Sequence, residues 1–104
     1  MYLIFCNILE LAQSVVDAGS VPLLVLCIQE PEITLKRISA SSLGDICKHS
    51  PELAQAVVDA GAVAYLAPLI LHPDAKLKRY AVELHLLNVV HIYQRYTYLL
   101  TMII

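Results

Sequence analysis

Two basic clusters, Lys36-Arg37 and Lys76 with Lys78-Arg79, are the residues whose type and spacing best support a chemistry, that of holding an anionic partner. Arg presents paired donors that match a carboxylate, and Lys adds a point charge. The competing reading is two solvated helix faces, because an exposed ion pair contributes only about 0–1 kcal/mol. His49, His72, His85 and His91 are the other titratable candidates. His85 and His91 are six residues apart, which on a helix leaves them about 120° from facing the same way, and no cysteine or carboxylate completes a ligand set around them. Cys6, Cys27 and Cys47 each stand in an apolar run where a thiol stays neutral and unreactive. Gly19, Gly44 and Gly61 are too scattered to form a phosphate loop. The sequence therefore predicts no catalytic, cofactor-binding or metal-ligating residue, and a binding protein rather than an enzyme.

Such clusters need a scaffold, and the composition limits what it can be. A chain of 104 residues is one domain at most, hiding around two-thirds of its unfolded surface. Its 59% hydrophobic and 15% charged residues exceed the usual roughly 45–50% apolar content and fall short of about 25% charge. Apolar surface left uncovered is the expected result. A formal charge of −2 gives no overall field that would attract nucleic acid or an anionic membrane. Three unpatterned cysteines imply a reducing compartment without a disulfide framework. Met1 to Leu11 lacks a basic leader region, and the uncharged Tyr96–Ile104 stretch has about half the length of a spanning helix, so neither a signal peptide nor a membrane span is expected.

An internal repeat sets the architecture. Glu10-Leu-Ala-Gln-Ser-Val-Val-Asp-Ala-Gly19 returns 42 residues later as Glu52-Leu-Ala-Gln-Ala-Val-Val-Asp-Ala-Gly61, and Pro31, Leu35-Lys36-Arg37 and His49 return as Pro73, Leu77-Lys78-Arg79 and His91. Of the 40 aligned pairs between Glu10–His49 and Glu52–His91, 17 are identical. Two unrelated amphipathic helices would share apolar character but not an Asp-Ala-Gly, a Pro and a Leu-Lys-Arg in register. The period falls in the range of about 40–47 residues that marks stacked units of two or three helices.

Punctuation divides each unit into three helices. Ser50 and Pro51 suit an N-cap and first helical position, and Gly19 and Gly61 suit the left-handed position after a helix, so Glu10–Ala18 and Glu52–Ala60 read as first helices. Ser20 is expected to cap a second helix that runs to about Gln29, with its counterpart over Ala62–Leu71. Pro68 conflicts with that counterpart and predicts a kink or an early start there. A longer third helix follows Pro31 and Pro73, with Glu32 and Asp74 at the positive end of its dipole. Leu35, Ile38, Ser42 or Leu43, and Ile46 fall on one stripe, and Ala40, Ser41, Ser42 and Gly44 admit a close neighbour.

These features together, with Val21-Pro22-Leu23-Leu24 opening the second helix and Ala40-x-x-Leu43 in the third, resemble the armadillo repeat over roughly residues 8 to 91. Residues 50–63 and 27–37 are similar to armadillo repeats of the axonemal central apparatus. The resemblance implies an all-α armadillo-type α-solenoid, a right-handed superhelix of about two repeats. It would be a non-catalytic scaffold of the ciliary or flagellar axoneme, in the cytoplasm and cytoskeleton. Microtubules and central-pair components are the partners it implies, and motility of cilia and the sperm flagellum the process. The basic clusters would then face acidic tubulin tails. Many armadillo proteins clamp a peptide with an Asn in the third helix; here Asp45 and Leu87 take that place, with Asn88 one position off, which argues against peptide capture of that kind. The alternatives are a generic cytosolic armadillo adaptor for an extended peptide and a truncated, non-functional fragment.

The expected organisation is a remnant of a preceding helix at residues 1–9, armadillo-like repeats at 10–51 and 52–91, and a divergent apolar tail at 92–104. An internal repeat leaves an apolar face at each end of its stack, so self-association through the ends is expected. Ile4 aligns with Ile46, and Leu99 and Leu100 fall where Val57 and Val58 stand one unit earlier. The tail thus reads either as a stand-in for a next first helix or as a strand-favouring, aggregation-prone run.

Overall fold

The computed structural model describes residues 2–103, with side-chain surroundings given from residue 10 onward. Ile4 and Cys6, as side chains, lie outside that range. Six α-helices follow one another: α1 (Tyr2–Asp17), α2 (Ser20–Ile28), α3 (Ile33–His49), α4 (Pro51–Asp59), α5 (Ala62–Leu66) and α6 (Ala75–Ile103), with a 3-10 segment over Ala67–Leu71. The protein is all-α, and no strand occurs among the described residues.

Identical residues build the same turn twice. Gly19 and Gly61 hold φ of 86° and 84°, a left-handed conformation that a Cβ disfavours. Each donates to the carbonyl three residues back, Val16 or Val58, at 2.9 Å. The following helix leaves at 74° in the first unit and 76° in the second. The Glu10 and Glu52 segments thus share one conformation. The Ser50 hydroxyl accepts from the Leu53 N–H at 3.1 Å with Pro51 at the first helical position, as the residue types require.

Several details depart from the sequence reading. Ser20 does not cap α2: the two-residue link leaves Gly19 as N-cap and Ser20 already inside the helix, its hydroxyl enclosed without a partner. Pro68 acts earlier than a kink would, converting the helix to 3-10 geometry from Ala67. On α3 the core stripe is Ser39, Ala40, Leu43, Ile46 and Cys47, while Ile38 faces solvent. Ser39 tolerates burial because its hydroxyl donates to the Leu35 carbonyl at 2.7 Å, while Ala40 and Gly44 on the side toward α6 are small. Residues 2–9 continue α1 without a break, so they do not form a separate preceding helix.

The tail also differs from expectation. No Ser-Pro pair interrupts residues 75–103, and α6 carries on as one helix of 29 residues. It neither folds back as a new first helix nor forms a strand. Thr97 and Thr101 fit by donating to the Tyr93 and Thr97 carbonyls. Leu99 and Leu100 are left exposed on it. Among the described residues no single helix is both long and apolar enough to cross a membrane.

One apolar cluster joins both units, with Leu43, Leu53, Val57, Leu66, Leu77 and Leu84 at its centre. Each such side chain, removed from water, contributes about 1.5–3 kcal/mol. α3 makes its most extensive contact with α6, and α4 lies against both. α1 has α2 and α3 beside it, more sparsely.

Candidate interaction surface

The helices α3 and α6 position every residue of the two basic clusters. Arg37 leaves α3 toward the second unit, where its Nε donates to Asp74 Oδ1 at 3.1 Å and its Nη2 to Asp74 Oδ2. The paired guanidinium holds the Asp74 carboxyl well below the usual carboxylate range, and the carboxylate raises Arg37 in turn. Asp74 also caps α6, accepting from the Leu77 N–H at 2.9 Å, while its own N–H donates to His72 Nδ1 at 3.0 Å. Glu32 does the same for α3, accepting from the Leu35 N–H at 2.7 Å.

Arg37 and Arg79, one repeat apart, therefore do different things. Arg79 is exposed, with its guanidinium over the Tyr80 ring at 5.7 Å from the centroid. Lys76 and Lys78 are exposed and Lys36 is half-buried. An open groove between α3 and α6 brings Arg37 and Lys76 together with Thr34, Ile38, Ser41 and Tyr80; Lys36, Lys78 and Arg79 lie outside it. The sequence reading missed Asp74 as a partner of Arg37. The signal was in the repeat: an acid at the start of the third helix and an arginine five residues on recur as Glu32/Arg37 and Asp74/Arg79.

The asparagine near the peptide-clamping position is not available to a ligand. Asn88 is buried, and its Oδ1 accepts from Cys47 Sγ at 3.3 Å, so it faces the unit interface. Asp45 is exposed with Lys48 3.8 Å away, and Leu87 packs against the core. His85 and His91 are half-buried, each with an enclosed Nδ1 that has no partner among the described residues. No three His, Cys, Asp or Glu side chains converge there.

Burial pushes the Cys47 thiol up to about 12. Alkylation at mildly alkaline pH should label half-buried Cys27 before Cys47, and reach Cys47 only as the protein opens. Peptide mass mapping over time checks this, and labelling of Cys47 as fast as a free thiol would contradict it.

No family model and no curated protein matches the sequence. The fold is similar to that of an engineered protein of known crystal structure, a structural-genomics target, with a TM-score of 0.74 and 28% sequence identity. The match covers 77% of this chain and 32% of that one. Fold and comparison together define an all-α protein of packed helices.

Proposed function

We propose that the chain is a non-catalytic interaction scaffold of the armadillo type, a solenoid segment of about two repeats that binds microtubules in the axonemal central apparatus. The observation that carries the reading is the duplicated three-helix unit, with its two left-handed glycines and its bends of 74° and 76°. The cellular setting rests on our reading of residues 50–63 and 27–37 as resembling armadillo repeats of the axonemal central apparatus. The buried position of Asn88 favours this reading over a generic adaptor that clamps an extended peptide. The partner-facing residues are Lys36, Lys76, Lys78 and Arg79, with Arg37 held back by Asp74.

Reversing Lys36, Lys76, Lys78 and Arg79 to Glu should weaken co-sedimentation with microtubules by about tenfold or more, with the gap widening at low salt. Arg37 is left intact in this variant, because its loss would also loosen the joint between units. Unchanged sedimentation of the variant, or equal binding to microtubules stripped of their acidic tails, would refute the microtubule assignment.

A further inference from the structure

The repeat allows buried and exposed copies of the same residue to be compared. Leu53 and Val57 on α4 are 1% and 0% exposed, because α4 lies in the angle between α3 and α6. Their equivalents on α1, Leu11 and Val15, are 66% and 41% exposed, with no earlier third helix packed over them among the described residues. At the opposite end the reverse holds. Cys47 on α3 is buried against the second unit, and its equivalent Val89 on α6 is exposed. Each end thus exposes the equivalents of residues that the internal joint buries.

Charge follows the same logic. Arg37 reaches forward one unit to the acid that caps the next third helix. Arg79 is the next such arginine and has no acid bonded to it among the described residues, whereas Glu32 is the same capping acid with no arginine bonded to it there. Because α6 runs on past Ile92 rather than folding back, it does not fill the place that α4 occupies beside α3.

We propose that copies of this chain associate head to tail, the Arg79, Val82 and Val89 face of α6 docking on Leu11, Val15 and Glu32 of the next copy. Arg79 then pairs with Glu32 across the contact as Arg37 pairs with Asp74 within the chain. The inference rests on the tandem-unit reading but not on microtubule binding. Because the two faces differ, the contact is heterologous and does not close on itself, so the products form an open series rather than a single dimer. His85 stands where the internal joint has Leu43, which makes the intermolecular joint the weaker of the two and association reversible.

Sedimentation velocity over a concentration series tests this on the whole chain. The wild type should pass from monomer to progressively longer species. Arg79→Glu and Leu11→Arg alter exposed side chains at opposite ends, so each should keep the wild-type helical spectrum and melt while weakening association by at least about tenfold. An equimolar mixture of the two variants should give one-to-one dimers and nothing longer, since each retains the face that the other lacks. A wild type that stays monomeric throughout the series would overturn the proposal. So would variants that keep wild-type oligomers, the result expected if the exposed residues 93–103 were the adhesive, or a variant mixture that stays monomeric while the wild type associates.

Discussion

Leu53→Ala is expected to cost the fold about 2–5 kcal/mol, while Leu11→Ala, the same substitution one repeat earlier, should stay within about 0.5 kcal/mol. Both leucines follow a glutamate in Glu-Leu-Ala-Gln and occupy the same place on the first helix of a unit. Only their surroundings differ, since Leu53 is enclosed by α3 and α6 and Leu11 faces water. Truncating Leu53 forfeits its transfer from water and leaves a cavity that two helices cannot easily close. For a domain with a net stability of about 5–15 kcal/mol, that is a large fraction of the whole. Urea denaturation should show the midpoint falling for Leu53→Ala with an unchanged slope, and almost no movement for Leu11→Ala. The comparison belongs at low protein concentration, where head-to-tail contacts do not cover Leu11. Equal losses at the two positions would mean that the units do not stack in the order described.

The contrast between Leu11 and Leu53 also explains what the sequence made legible. Features fixed by a residue's own backbone or its near neighbours could be read directly: the left-handed Gly19 and Gly61, the Ser50-Pro51 start, the disturbance at Pro68, and the capping acids Glu32 and Asp74. Features decided by a neighbour far along the chain could not. Ile38 fits the apolar periodicity of α3, yet the buried side of the helix runs through Ser39, Ala40, Leu43, Ile46 and Cys47 instead, and Ile38 is left 58% exposed. The straight run of α6 was hidden for a related reason. Alignment with α4 suggested a turn near residue 92, but no residue there breaks a helix. In the candidate surface, type and spacing placed both basic clusters on third helices, as found. The ion pair that removes Arg37 from the free surface joins residues 37 positions apart, and only the repeated acid-to-arginine spacing foreshadowed it.

That pair yields the second large effect, an acid limb in the stability curve to which the Asp74 carboxylate contributes beside Glu32. In the folded protein the Arg37 guanidinium first, and the Leu77 N–H next, hold Asp74 below its ordinary range. An unfolded aspartate titrates at about 3.9. Since the folded value is the lower one, the resulting stabilisation is fully present above about pH 4 and is lost as the pH falls from there through the folded value. Wild-type protein should therefore lose stability as it is acidified below about pH 4. Asp74→Asn retains an oxygen for the Leu77 N–H but carries no charge for Arg37, so it should begin less stable at neutral pH and show a shallower acid limb. Asp74→Ala removes the cap as well and should lie lower again. Thermal melts across the acid range, repeated for Arg37→Met and for the Arg37→Met/Asp74→Asn double variant, separate cap from pair: the pair predicts that the second substitution costs little once the first is made. Additive losses would mean that Arg37 and Asp74 act independently, and the joint between the units would then rest on apolar contact alone.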